Sequence, residues 1–357
     1  MPFTAAELTA AGYASLDHFE RNRPTDQIQV MRPWLSKLRA SEKEFPGGKQ
    51  YITVQLRTTY ASNFTWYYGA QTVTYNTRQS LNQANYTWGS AHDGMYLDED
   101  RLFQNGIALT DDNRGGQHSG AERLQLTNLL EEQTEILGEG FDEAMDYALH
   151  RDGTQSTEAI PALDALIAVD PTGTVGGIDA SPAAAAYWRN HATGSLSSST
   201  IIAGMETGWR ACVRNGGRPD YILAGETIID VYRAALLAAG EYQLASSGIV
   251  KFDGGVGMRT QGTETGLAFK GVPIVWDPVF DTLDTIEGNP TPLWKTRMYF
   301  LNCRHLRLRP GAGHNRIKRK PPRVYDRYVH YWALTWKGAL VTDRRHAHAL
   351  LSTAALS

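Results

Sequence analysis

Lysine is absent from residues 51–250 of this 357-residue chain, where arginine carries the positive charge. Arginine suits fixed, two-pronged contacts with carboxylates better than a flexible ammonium does. Cysteine is almost absent too. Cys212 and Cys303 are the only two, too few for a disulfide framework or a four-cysteine zinc site, which fits a reducing compartment. No apolar run approaches the ~18 residues of a membrane span. The first 22 residues have no basic stretch followed by an apolar block, so no secretory signal is predicted there.

The marks of catalysis are missing as well. The glycine-rich stretches 172–177 and 253–257 match neither the dinucleotide fingerprint nor the phosphate-binding loop, and read as turns. No Gly-x-Ser-x-Gly elbow occurs. His346 and His348 have a spacing that an extended chain could use for a metal, but no second ligand cluster lies nearby in sequence. Asp111-Asp112-Asn113 reads as solvated linker. The expectation is therefore no catalytic residue, no metal, no cofactor and no enzymatic activity.

What is present begins with ordinary bulk. The chain is 42% hydrophobic and 20% charged, normal for a soluble globular protein. Its length leaves room for two or three compact regions. The net charge of −3 hides two opposed blocks. Residues 98–164 hold sixteen acidic and four basic side chains, and residues 302–357 hold twelve basic and two acidic. Such blocks can meet within a subunit, meet between subunits, or face different partners.

The most informative stretch is 49–151. Its first half is polar, extended and aromatic, with Tyr51, Tyr60, Phe64, Trp66, Tyr67, Tyr68, Tyr75, Tyr86, Trp88 and Tyr96 but few aliphatic residues. Residues 51–58 alternate with period two, and further strand-like runs are predicted at 63–76 and 84–97. Ordered loops longer than ~12–15 residues are uncommon inside compact domains. This one is expected to pack on something outside its own domain; the other reading is an ordinary antiparallel sheet buried locally. A short helical turn over 97–106 and a polar linker over 111–117 follow. Ser119 and Glu122 have capping-box spacing. Leu126, Leu129, Leu130, Gln133, Leu137, Phe141, Ala144, Met145 and Ala148 then follow at three-to-four spacing, with Gln133 the only polar member. They predict one helix over about 119–151, ~45 Å long at ~1.5 Å per residue. Its other faces carry acids, among them Glu131, Glu132 and Glu135.

Elsewhere, 1–44 reads as an arm and 196–280 as a self-contained α/β unit. That unit has helices at 200–213 and 228–239 and strands at 220–224, 267–269 and 272–276. Strands are predicted at 298–301 and 305–309, and a strand-rich segment at 328–341. Between them lies a basic loop, 304–327, with nine Arg or Lys, including Arg316, Lys318, Arg319, Lys320 and Arg323, against Asp326 alone. It has three open readings: pairing with the acidic helix of a neighbouring subunit, a solvated loop, or contact with nucleic-acid phosphates.

Several short strings occur in a telling order. Ala84-Asn-Tyr-Thr-Trp-Gly89 leads into Met95-Tyr-Leu-Asp-Glu99 and Leu102-Phe-Gln-Asn-Gly106. Gly176-Gly-Ile-Asp179, Tyr187-Trp-Arg-Asn190, Pro219-Asp-Tyr-Ile-Leu223, Phe269-Lys-Gly-Val-Pro-Ile274 and Met298-Tyr-Phe-Leu-Asn302 follow. In order and spacing the chain resembles the major capsid proteins of tailed bacteriophages, which share the Hong Kong 97 fold. The resemblance covers most of the chain and implies an α+β fold. Its parts would be an amino-terminal arm (1–44), an extended β-hairpin loop (45–110), a spine helix with peripheral sheet (111–180), an axial α/β domain (181–290), and return strands of the peripheral domain (291–357). The last of these would begin with the 298–302 string.

The resemblance also implies a function: a structural subunit of the virion, forming pentamers and hexamers of an icosahedral head around packaged double-stranded DNA. The head would be assembled in the host cytoplasm, with DNA contacted non-specifically. Trp66, Tyr67, Tyr68, Tyr75, Tyr86 and Trp88 would then be intersubunit residues of the loop. Glu131, Glu132 and Glu135 would pair across subunits with Arg316, Lys318, Arg319, Lys320 and Arg323. Portal and decoration proteins would be further partners, with no membrane involved. An encapsulin-like compartment and a nucleic-acid-binding protein acting through 304–327 are the alternatives.

Two departures from the family bear on assembly. Some relatives carry a long amino-terminal scaffolding segment, whereas 44 residues precede the loop here, so a separate scaffolding protein is expected. Some relatives join subunits covalently through a loop lysine. Here 51–110 has none, and Lys49 sits at the loop's base, so no covalent cross-link through the loop is expected. Assembled material boiled in detergent should therefore run as a single 39.5 kDa band. A heat-resistant ladder of multimers on a denaturing gel contradicts this.

Overall fold

The computed structural model describes residues 30–78, 80–98, 120–214, 216–238, 264–322 and 329–356, with backbone alone at 98, 120–131 and 264. The expected 97–106 turn, the 111–117 linker, the Ser119 cap and most of the 1–44 arm fall outside these residues. Among the described residues, no helix is long and apolar enough to cross a membrane.

The chain enters through helix α1, Pro33–Ala40. Strands β1 (Ile52–Arg57), β2 (Leu81–Tyr86) and β3 (Gly89–Asp98) follow, then the long helix α2 (Gly120–His150). A short helix α3 (Leu163–Leu166) and a small ribbon, β4 (Thr174–Val175) and β5 (Ile178–Asp179), lead to β6 (His191–Thr193). Next come α4 (Ile201–Arg214), β7 (Tyr221–Ala224), α5 (Glu226–Ala238), β8 (Glu264–Phe269), β9 (Val272–Trp276) and α6 (Val279–Ile286). The chain closes with β10 (Arg297–Leu301), β11 (Leu306–Pro310), β12 (Ile317–Arg319), β13 (Val329–Thr342) and β14 (Ala349–Ser352).

Period-two patterning makes the β1–β2 hairpin. Register runs from Ile52↔Tyr86 to Arg57↔Leu81. Ile52, Leu56, Ala84 and Tyr86 are buried, while Gln55, Arg57, Gln83 and Asn85 are exposed. The strand expected at 63–76 does not form: this stretch carries no ladder, only a turn at Gly69-Ala70. A strand needs one buried face to fix its register, and the aromatic rings here have no such face within the subunit.

The expected single run at 84–97 is two strands that pair with different partners. After Trp88 the chain leaves β1 and joins β13, from Gly89↔Gly338 to Asp98↔Val329. Gly89 marks the divide, where an added Cβ would collide with the Ile160 side chain. The far edge of β13 carries β11 (Pro310↔Gly338) and then β12 (Arg319↔Ala333). The strand predicted at 305–309 forms as β11, and β12 adds a second, unpredicted strand within the basic stretch.

Helix α2 has its expected extent, and its last three turns bury Phe141, Asp142, Met145, Asp146, Leu149 and His150. The buried stripe is thus more polar than expected, and Ala144 of the predicted stripe is exposed. Beside it stands a six-stranded sheet in the order β6–β14–β10–β7–β9–β8. Here the structure corrects the expected boundaries. Residues 297–301 do not return to the peripheral sheet; they pair with β7 and β14 in the middle of the α/β sheet. Nor is 196–280 self-contained, because β10 and β14 complete its sheet. Strand β10 covers β7 and β14 covers β10, because both β7 and β10 are buried at every position and too apolar to form an edge. Helices α4 and α5 close one hydrophobic core over this sheet, which includes Met205, Trp209, Ile228, Ile274, Phe300 and Leu351.

Phe300 is fully buried, with ring contacts to Trp209 and Phe269 at 6.2 and 6.0 Å. Phe300→Ala should destabilise the subunit by about 3–5 kcal/mol, read as a shifted midpoint in urea unfolding. Leu81→Ala, at an exposed site, should stay within about 0.5 kcal/mol.

Candidate intersubunit surface

The loop between β1 and β2 carries Tyr60, Phe64, Trp66, Tyr67, Tyr68 and Tyr75, all exposed. Trp66 and Tyr75 reach 89% and 92% exposure. Phe64 and Trp66 meet edge to face, with centroids 5.3 Å apart. The backbone is held sparingly: Tyr68 N–H donates to Gln71 Oε1 at 3.1 Å, and the Asn63 side-chain amide donates to the Thr74 carbonyl. Six aromatic rings present about 900–1,500 Å² of buriable surface. The largest apolar patch on an ordinary monomer is ~300–600 Å². The loop's aromatic surface exceeds what an ordinary monomer leaves exposed.

Two of the six expected loop residues lie elsewhere. Tyr86 is buried, and its hydroxyl donates to the Thr342 carbonyl at 2.7 Å. Burial pushes its phenol far above the usual range. Its place opposite Ile52 in the register puts it on the inner face, a position readable from the period-two pattern. Trp88 is half-buried; its indole N–H donates to the Lys49 carbonyl at 3.1 Å and its ring meets Phe45 at 5.6 Å. With Lys49, His314 and Lys337 it lines a cleft of about 510 Å³ at the loop's root. Both side chains serve their own subunit, because the hairpin base has a body to pack on and the tip does not.

The charged residues also divide. Arg316 turns inward onto α2, with Nη2 3.0 Å from Asp142 Oδ1. Arg39 grips the same carboxylate with two hydrogen bonds, at 2.6 and 3.0 Å. Arg32 pairs with Glu139 at 2.9 Å. Among the described residues, the α2 acids that pair with arginine within the subunit are thus Glu139 and Asp142, which the expected pairing did not include. Asp142 lies one position after Phe141 of the apolar stripe, a signal the sequence did contain. Glu132 and Glu135 point outward, as do Lys318, Arg319 and Lys320. Arg319 Nε donates to Thr335 Oγ1 at 2.8 Å. Arg323 and the Glu131 side chain lie outside the described residues. His346 and His348 are engaged by their own backbone: His346 Nδ1 is 3.0 Å from the Tyr187 carbonyl, and His348 Nδ1 accepts the Asn302 N–H at 3.1 Å.

No family model matches the chain, and no curated protein does. Solved structures do. The chain is similar to one in the cyanophage A-1(L) capsid asymmetric unit, at 15% identity over 93% of this chain and 95% of that one, with a TM-score of 0.59. It is similar to a chain of the capsid of Myoviridae phage XM1, at 13% identity over 92% and 94%, with a TM-score of 0.55. A chain from Gordonia phage Cozz matches at 11% identity over 92% and 89%, with a TM-score of 0.53. The chain shares the α+β fold of these solved chains over more than nine tenths of its length.

Removing the Tyr86 hydroxyl should cost the subunit about 0.5–1.5 kcal/mol, the net worth of one internal hydrogen bond. Equilibrium urea unfolding of unassembled Tyr86→Phe protein checks this; no change would return Tyr86 to the loop surface.

Proposed function

We propose that the chain is the structural subunit of a phage-type protein shell, with no enzymatic activity. The observation that carries this reading is the exposed aromatic loop on a capsid fold. Its rings have no use within the subunit, and laid over a neighbour they become buried interface. At ~25 cal/mol per Å² the loop offers tens of kcal/mol gross, reduced by ordering and association costs. Obligate interfaces commonly run above ~2,000 Å², and this loop is a large part of one.

In the finer reading, Trp66, Tyr67, Tyr68 and Tyr75 anchor the loop on the next subunit of pentamers and hexamers. Glu131, Glu132 and Glu135 face Lys318, Arg319, Lys320 and Arg323 of a neighbour, and Arg316 is withdrawn from that set. Exposed ion pairs give ~0–1 kcal/mol each, so these set register and specificity while the aromatics supply affinity. The shell encloses double-stranded DNA in a virion, and a separate scaffolding protein, a portal and a decoration protein complete the head.

Sedimentation and negative-stain electron microscopy test the reading. The subunit with its scaffolding partner should give uniform closed particles of megadalton mass. Trp66→Ala should leave the subunit folded and raise the concentration needed for assembly about tenfold or more, as truncating a buried aromatic anchor costs ~2 kcal/mol or more. A small species with salt-sensitive DNA affinity would overturn the reading in favour of a nucleic-acid binder. Particles filled with a cargo enzyme and no DNA would favour an encapsulin-like compartment.

A further inference from the structure

The carboxyl end of α2 meets the α/β sheet through a buried ionisable cluster that plays no part in the proposed shell contacts. His150 is fully buried. Its Nε2 lies 2.9 Å from Asp277 Oδ2, and its Nδ1 lies 2.7 Å from the Asp146 carbonyl. Asp146 Oδ1 is 3.9 Å from the same Nδ1. Both ring nitrogens therefore face oxygen acceptors. A neutral imidazole has only one N–H to donate, whereas the imidazolium has two. The geometry is built for the protonated ring.

The cluster also joins separate elements. The Asp277 N–H donates to the Ala224 carbonyl at the end of β7, and Asp277 Oδ1 accepts the Val279 N–H that opens α6. Trp34 of α1 donates to the Leu149 carbonyl at 3.3 Å. The rings of Trp34, Phe280 and Trp294 stand 6.4, 5.5 and 6.3 Å from the imidazole. The other ionisable groups facing the cluster are Tyr221 of β7 with Cys303 beyond it, Arg32 ahead of α1, Lys37 over the Tyr221 ring, and Asp281 of α6.

We propose that Asp146, His150 and Asp277 form a protonation-gated joint. It clamps the spine helix to the α/β sheet while His150 carries its second proton, and it loosens in alkali. The inference stands independently of the shell reading. Burial lowers the imidazole's proton affinity, but Asp277 and Asp146 outweigh it and raise the ring from 6.5 to about 9. A group raised in this way stabilises the closed joint fully below 6.5, and that contribution is lost as pH rises through about 9. Burial also pushes the Asp146 carboxyl up, opposed by His150, and its ionised form is the one that helps hold the imidazolium. His348, which burial lowers to about 3, has the opposite sign and acts only in acid, below the His150 window.

Hydrogen exchange on the full chain, corrected for intrinsic rates at each pH, tests the joint. The opening constant of amides in 141–150 should rise about tenfold per pH unit across the His150 window and then level off. The central strand 297–301 should not follow. His150→Gln, which cannot take the second proton, should flatten the rise. Asp146→Asn, which removes one of the two charges that raise the ring, should make the rise level off at lower pH than in wild type. A flat wild-type profile, or an equal rise in 297–301, overturns the proposal. If His150→Gln does not fold, the wild-type profile and Asp146→Asn decide. A histidine NMR titration placing His150 at an ordinary imidazole value would also overturn it.

Discussion

The ladder between β3 and β13 is the constraint on which the rest depends. It takes the return arm away from the hairpin at Trp88 and commits its backbone to the subunit's own sheet, from Gly89↔Gly338 to Asp98↔Val329. One face of β3 is then half-buried and the other exposed, with Ala91, Asp93 and Met95 half-buried and Leu97 buried, and Ser90, His92 and Tyr96 outward. Among the described residues of 45–98, the stretch between β1 and β2 is left without a sheet partner or an apolar floor. The aromatic tip is exposed because everything around it is already paired.

The acidic helix answers to the same division. Where α2 lies on the body, its carboxylates are met by arginines from the segment ahead of α1, from α1 itself and from the segment before β12: Arg32 on Glu139, and Arg39 and Arg316 on Asp142. Where it leaves the body, Glu132 and Glu135 face solvent. Partly buried ion pairs of this kind fix geometry more than they add stability. They hold the helix at a set angle, and the His150 cluster holds its far end.

Much of this was legible in the chain. The helix over 120–150 follows from apolar spacing, and the hairpin follows from alternation and from Ile52 and Leu56. Short strings in order pointed to the capsid fold. Tyr86 was misplaced because its composition resembles the loop's, although its parity with Ile52 marks it as core. Strand β10 was misplaced because a run of Arg-Met-Tyr-Phe-Leu fits either sheet, and only pairing with β7 and β14 decides between them. Arg316 was misplaced because charge blocks show sign but not which members of a block meet.

The sequence by itself determined the extent of the long helix, the presence of an aromatic segment with few aliphatic residues, and the absence of loop lysines. These are local properties of spacing and composition. The tertiary structure alone decided which rings stay exposed, which carboxylates meet arginine, and that His150 stands between Asp146 and Asp277. Asp277 lies more than a hundred residues beyond His150. No local pattern specifies a contact at that separation, because packing and strand pairing fix it only once the whole chain has closed.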